Sequence, residues 1–136
     1  MFPPPQPWKE YRVPEVGRRY VALLSMFPMR SPRYLLGFSK RTSQVQKHLE
    51  STHGVMGAAF AADFLRLKMY TLSAWDDREK LQTFIHESPH AEAMDSEKPH
   101  LRRPAMFIYW DVDGRDLPLE WKDALRRAAV RERAAK

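Results

Sequence analysis

The sequence predicts a single α+β domain in which an antiparallel sheet carries helices on one face, and three observations predict it. Compact apolar runs at 20–27 (YVALLSMF), 67–75 and 104–112 (PAMFIYWDV) have the length and content of strands. Stretches with helical spacing separate them, first over 32–52 and then from 76 onward, where Leu81, Phe84 and Ile85 form an apolar stripe. Finally, 55–64 and 67–75 follow one another across a tight connection at 63–66, as the arms of a hairpin do. At 136 residues and 43% hydrophobic content the chain is long enough for one core and too short for two.

Taken in order, residues 1–18 read as a proline-rich arm in which Trp8 and Tyr11 are expected to anchor on the domain or on a partner. The first strand ends at Pro28. The following helix has Leu35, Leu36 and Phe38 early and Val45 and Leu49 late; Ser39 or Thr42 is expected to cap its regular part, and His53-Gly54 to close it. In the second arm of the hairpin, Met69, Thr71, Ser73 and Trp75 share one face and Tyr70, Leu72 and Ala74 the other. Asp76 and Glu79 have capping-box spacing for the next helix, which Ser88-Pro89 interrupts and restarts as a short helix to about Lys98. After the last strand, Asp113-Gly114 turns the chain into a helix over 118–134 with Trp121, Leu125 and Ala129 on one side. The expected divisions are an arm at 1–18, a domain at 19–116 and a basic helix at 117–136.

This order, β-α-β-β-α-β with a further helix, is the split βαβ arrangement of ferredoxin-like domains. Its own helices cover one sheet face. A second copy's sheet is the simplest cover for the other face, since the last strand is apolar on both sides, so a homodimer is expected.

Composition narrows the function classes. Without cysteine there is no disulfide framework, thiolate metal site or cysteine nucleophile, and the cytoplasm is the expected compartment. The opening residues hold prolines and no apolar core, so neither a signal peptide nor a membrane anchor is expected. The formal charge of +6 sits at the ends, on Lys9, Arg12, Arg18 and Arg19 and on six lysines and arginines after residue 121, each set only partly offset by acids. The body between is neutral. A basic last turn suits the helix dipole, and a neutral body lacks the footprint of a nucleic-acid binder, so no nucleic-acid partner is expected.

The segment 71–84 (TLSAWDDREKLQTF), followed by Ser88-Pro89-His90 and Met94, resembles the dimeric α+β-barrel group. That group includes the antibiotic-biosynthesis monooxygenases, the spheroidene-monooxygenase-like proteins and many bacterial relatives. The shared pattern is a strand ending in tryptophan, an acidic helix cap, an apolar helix position and a histidine at the helix break. The resemblance spans about residues 20–112 and implies the fold more specifically than a reaction, because its members include cofactor-free oxygenases, haem binders, cyclases and isomerases. Its haem-degrading branch carries an asparagine on the first strand and a tryptophan and histidine on the second helix. Those helix positions align with Phe84 and Met94 here, and the first strand has no asparagine. His90 or Met94 remains a candidate axial ligand for haem in another geometry.

The candidate site centres on His90. The string His86-Glu87-Ser88-Pro89-His90 reproduces the zinc-protease motif in letters, but Pro89 removes the continuous helix that would put both histidines on one face, and no third ligand follows at short spacing. At the mouth of a pocket between helix and sheet, His90 would accept a proton from an acidic phenol or enol; the alternative is a ring that bonds the backbone and organises the kink. Trp75, Ser73, Phe84, Met94 and Trp110 are the candidate substrate contacts, with Trp75 equally readable as core. His53 and His100 are expected at the surface. Neither a hydrolase elbow around Ser25 or Ser73 nor a dinucleotide or phosphate loop is present. The expectation is a small monooxygenase-like enzyme acting on an aromatic or polyketide-like molecule without a nucleotide cofactor. A haem-binding protein and a non-catalytic ligand-binding or assembly module are the alternatives.

Overall fold

The structure, a computed structural model, describes residues 4–87 and 90–134. Its strands are β1 (Lys9–Glu10), β2 (Arg19–Pro28), β3 (Val55–Asp63), β4 (Lys68–Trp75) and β5 (Met106–Asp113), and its helices are α1 (Pro32–Glu50), α2 (Arg78–His86), α3 (His90–Glu97) and α4 (Trp121–Ala134). The sheet runs β1-β3-β4-β2-β5 with every pairing antiparallel, the ferredoxin-like order with one short strand added at an edge. The break expected at Ser88-Pro89 lies outside the described residues.

The central strand β2 explains the layering. Its side chains alternate between two cores, Val21, Leu23 and Phe27 on one side and Tyr20, Ala22, Leu24 and Met26 on the other, and all of them are buried. Strand β4 does the same, with Met69 and Trp75 facing the first core and Tyr70, Leu72 and Ala74 the second, as the alternation predicts. On the first face, Leu35, Phe38 and Leu49 of α1 and Leu81 and Phe84 of α2 complete the core.

The second face departs from expectation. The chain's own α4 covers it instead of a twin sheet: Ala124 and Ala128 are 0% and 2% exposed, small enough to let the helix lie close on the strands. Trp121 and Leu125 flank that line, whereas Ala129, expected on the buried side, is exposed. The helix starts at Trp121 and not at Pro118.

Capping also differs in detail. Asp77, not Asp76, caps α2, its carboxylate accepting the Lys80 amide at 2.8 Å, because Asp76 is held by Arg12 and Arg18 of the arm at 2.8 and 3.2 Å. Ser39 and Thr42 sit inside α1, where their hydroxyls donate back to the Leu35 and Ser39 carbonyls, and the helix starts at Pro32. Gly54 does adopt the left-handed conformation, at φ 97°. In the hairpin turn, buried Asp63 accepts from the amides of Leu65 and Arg66 at 3.1 and 3.2 Å. None of the described helices is long and apolar enough to cross a membrane.

The arm is pinned to the domain. Lys9 and Glu10 pair with Ala58 and Gly57, the Tyr11 amide donates to the Met56 carbonyl at 2.9 Å, and Trp121 Nε1 donates to the Gln6 carbonyl at 3.3 Å. Trp8 lies on Gly57, where even a methyl side chain would overlap its indole. Trp8 packs with the α4-side core and Tyr11 with the opposite one, so the arm clasps the β3 edge. Trp8→Ala should therefore lower unfolding free energy by about 2 kcal/mol, and removal of residues 1–18 should lower the melting temperature; an unchanged denaturation midpoint in both would show that the clasp contributes nothing.

Candidate functional site

Between the sheet and helices α1, α2 and α3 lies a narrow cavity in two lobes of about 60 Å³ each. Its floor is the first face of β2 and β4, where Leu23, Ser25 and Thr71 meet both lobes. Phe84, Ser73 and Trp75 bound the lobe under α2, and Met94, Glu97 and Phe107 bound the lobe under α3. The ring of His90, half-buried at the start of α3, lines both.

His90 is held by a short aromatic and hydrogen-bonding set. Its Nδ1 lies 3.3 Å from the Ile85 carbonyl oxygen, a partner that can only accept, so Nδ1 carries the proton and Nε2 is left as the ring's acceptor. Burial pushes the pKa of His90 below the ordinary 6.5, the Ile85 hydrogen bond pulls it partly back up, and the neighbouring His48 adds a further downward push. At neutral pH the ring is therefore an uncharged base. Phe84 packs against it with centroids 4.8 Å apart and touches Trp75 at 5.0 Å and His48 at 5.4 Å. The indole of buried Trp75 donates to Ser73 Oγ at 2.9 Å, which satisfies its polar atom inside the wall of the site. The site can thus receive a proton in an apolar setting and bring aromatic faces to a flat molecule.

Residues 29–134 match the model of a family described as a domain of unknown function, DUF3291. The chain belongs to the DUF3291 family. Among curated proteins none matches it. Solved structures resemble this DUF3291 chain in fold at low identity. An antibiotic biosynthesis monooxygenase shares 10% identity at TM-score 0.61, over 68% of this chain and 97% of its own. Rv0793 from Mycobacterium tuberculosis shares 12% identity at TM-score 0.61, over 67% and 92%. A dimeric ferredoxin-like protein of unknown function from Thermobifida fusca shares 11% identity at TM-score 0.60, over 72% and 95%. At such identities the likeness shows a common fold.

Of the residues singled out in the DUF3291 sequence, His90, Trp75, Ser73, Phe84 and Met94 come together around the cavity. Trp110 does not. It faces the α4 side of β5, where the Arg127 guanidinium lies 4.5 Å from its ring, because even-numbered residues of that strand turn away from α1, α2 and α3. His86 is exposed while His90 lines the cavity, and among the described residues no group of three histidine, aspartate or glutamate side chains is placed to hold a metal ion. His53 is exposed. His100, expected at the surface, is half-buried: it stacks on Tyr34 at 4.3 Å and its Nδ1 sits 3.1 Å from Glu97 Oε2. Sequence reasoning also missed the pair at the α3 end of the cavity, where buried Glu97 meets Arg41 Nε at 2.9 Å. No local pattern joins two residues so far apart in the chain.

The lowered pKa fixes the sign of a pH effect. Between about pH 6.5 and the lower folded-state value the unfolded chain binds more protons at His90, so this group's contribution to stability is whole above 6.5 and is lost as pH falls through that window. His90→Asn should flatten the decline of the urea midpoint between pH 7.5 and 5 relative to wild type. Parallel declines in the two proteins would place His90 in water.

Proposed function

We propose that this DUF3291 chain is a small monooxygenase-like enzyme that takes an aromatic or polyketide-like molecule between the sheet and α1, α2 and α3, with His90 as its proton acceptor. The carrying observation is the Ile85 hydrogen bond, which leaves Nε2 of a partly desolvated, neutral imidazole free to accept a proton beside the cavity. Nε2 takes a proton from an acidic C–H or O–H, the carbon of the resulting anion bonds dioxygen, the proton returned from Nε2 makes a hydroperoxide, and cleavage of its O–O bond with loss of the remaining C–H proton turns the methylene into a carbonyl and releases the second oxygen atom as water. The balance needs no external reductant. The name of one structural neighbour, an antibiotic biosynthesis monooxygenase, supports this class of reaction.

Size decides what must move. Lobes of about 60 Å³ hold a water or two, whereas pockets for drug-sized molecules run from ~300 to ~1,000 Å³. Helix α3 is the element suited to give way: it has eight residues, Glu97 is its sole buried side chain, and Met94 lines the lobe beneath it with a flexible thioether. A haem does not fit the cavity in this form. Of the alternative, a non-catalytic ligand-binding or assembly module, the same small volume favours the assembly role as a second reading.

The test is oxygen consumption with a panel of polyphenols and anthrone-type compounds. With a substrate found, His90→Asn should lower kcat by about 10²–10⁴-fold while KM changes by only a few-fold. Retention of full turnover would make the histidine structural.

A further inference from the structure

Strand β5 forms one edge of the sheet and has β2 as its ladder partner. The Gly114 amide donates to the Arg18 carbonyl at 2.9 Å, and this pair continues the register in which Arg19 faces Asp113. Bonded pairs alternate along an antiparallel ladder, so the even-numbered residues of β5 turn their amides and carbonyls to β2, and Phe107, Tyr109 and Asp111 turn theirs outward. Only the charge of Asp111 blunts this edge. The strand has no proline, glycine or lysine over its eight residues, whereas the opposite edge is the two-residue β1. Phe107 and Tyr109 on one face and Trp110 and Val112 on the other are only half-buried.

We propose that a second copy of this chain docks on that edge, β5 against β5 and antiparallel about a twofold axis near Tyr109 and Trp110, joining the two sheets into one. Two observations select a second copy over another partner. The sheet face that a twin would otherwise cover is occupied by α4, which leaves β5 as the longer of the sheet's two unpaired edges. Charge is also self-complementary across the edge. Asp111 is exposed, and Arg78 lies with its guanidinium 5.3 Å from the Tyr109 ring, on the face that Asp111 shares; neither is in an ion pair among the described residues. With the axis at the Trp110 pair the partner's Asp111 comes opposite Tyr109, and with the axis at the Tyr109 pair it comes diagonal to it; in either register, on the same sheet face, it reaches Arg78, and the twofold repeats the contact.

Sedimentation of the full chain at micromolar concentration tests this. Wild type should sediment as a dimer. Asp111→Pro removes an outward amide and spares the β2 ladder, so it should give a monomer with a melting temperature close to wild type. Asp111→Arg should raise the dimer dissociation constant at least about tenfold by facing Arg78, and adding Arg78→Asp should restore the dimer. A wild-type monomer, or a dimer that persists in both single variants, would overturn the proposal.

Discussion

Burial of β2 on both faces is the constraint from which the rest of the molecule follows. A strand whose successive side chains feed two separate cores cannot be left with one face in water, because Tyr20, Ala22, Leu24 and Met26 would form an apolar patch well beyond what an ordinary surface carries. Helices α1, α2 and α3 meet one demand. The other is met within the chain, by α4 laid on the strands through Ala124 and Ala128 and by Trp8 of the arm. Having both faces covered from within leaves the edge of β5 as the longer of the two edges where the sheet is incomplete.

The candidate site is a consequence of the same layering. Small and polar residues on the first face of the sheet, Ser25, Thr71 and Ser73, leave space that larger side chains would fill, and the helices above supply Phe84, His90 and Met94. Large aromatics fix the wall under α2, where Trp75, Phe84 and His90 touch in series. The wall under α3 is different in kind. It is held by the ion pair of Glu97 with Arg41, by the contact of His100 Nδ1 with the Glu97 carboxylate and by one thioether, contacts that part more easily than a packed ring does. Rigidity on one side of His90 and yield on the other is what a site needs if it must admit a molecule and still aim a base at it.

Much of the fold was legible because its signals are local. The alternation in β4, the turn at Asp63, the left-handed Gly54 and the apolar stripe of α2 each depend on a few neighbouring residues. What failed depended on distant ones. Spacing to Glu79 favours Asp76 as the cap, and only the arrival of Arg12 and Arg18 removes it from that role and leaves the cap to Asp77. Trp110 could not be assigned a face because β5 is apolar on both, and parity has meaning only once the register with β2 is known. The face of α4 was misjudged for a similar reason. Pattern alone favoured large Trp121 and Leu125, yet close packing on a sheet put Ala124 and Ala128 at the contact. In the site, His90 and its aromatic neighbours were readable from the segment around 71–94, while Glu97 with Arg41 was a tertiary fact.

The chemistry proposed for the cavity depends most directly on the state of one imidazole. Nitrogen-15 NMR of the histidine rings, followed through a pH titration with His90 assigned by its substitution, reads both its tautomer and its pKa. The expected result is a ring protonated at Nδ1 in its neutral form, titrating below 6.5. A ring protonated at Nε2, or one titrating at or above 6.5, would contradict it.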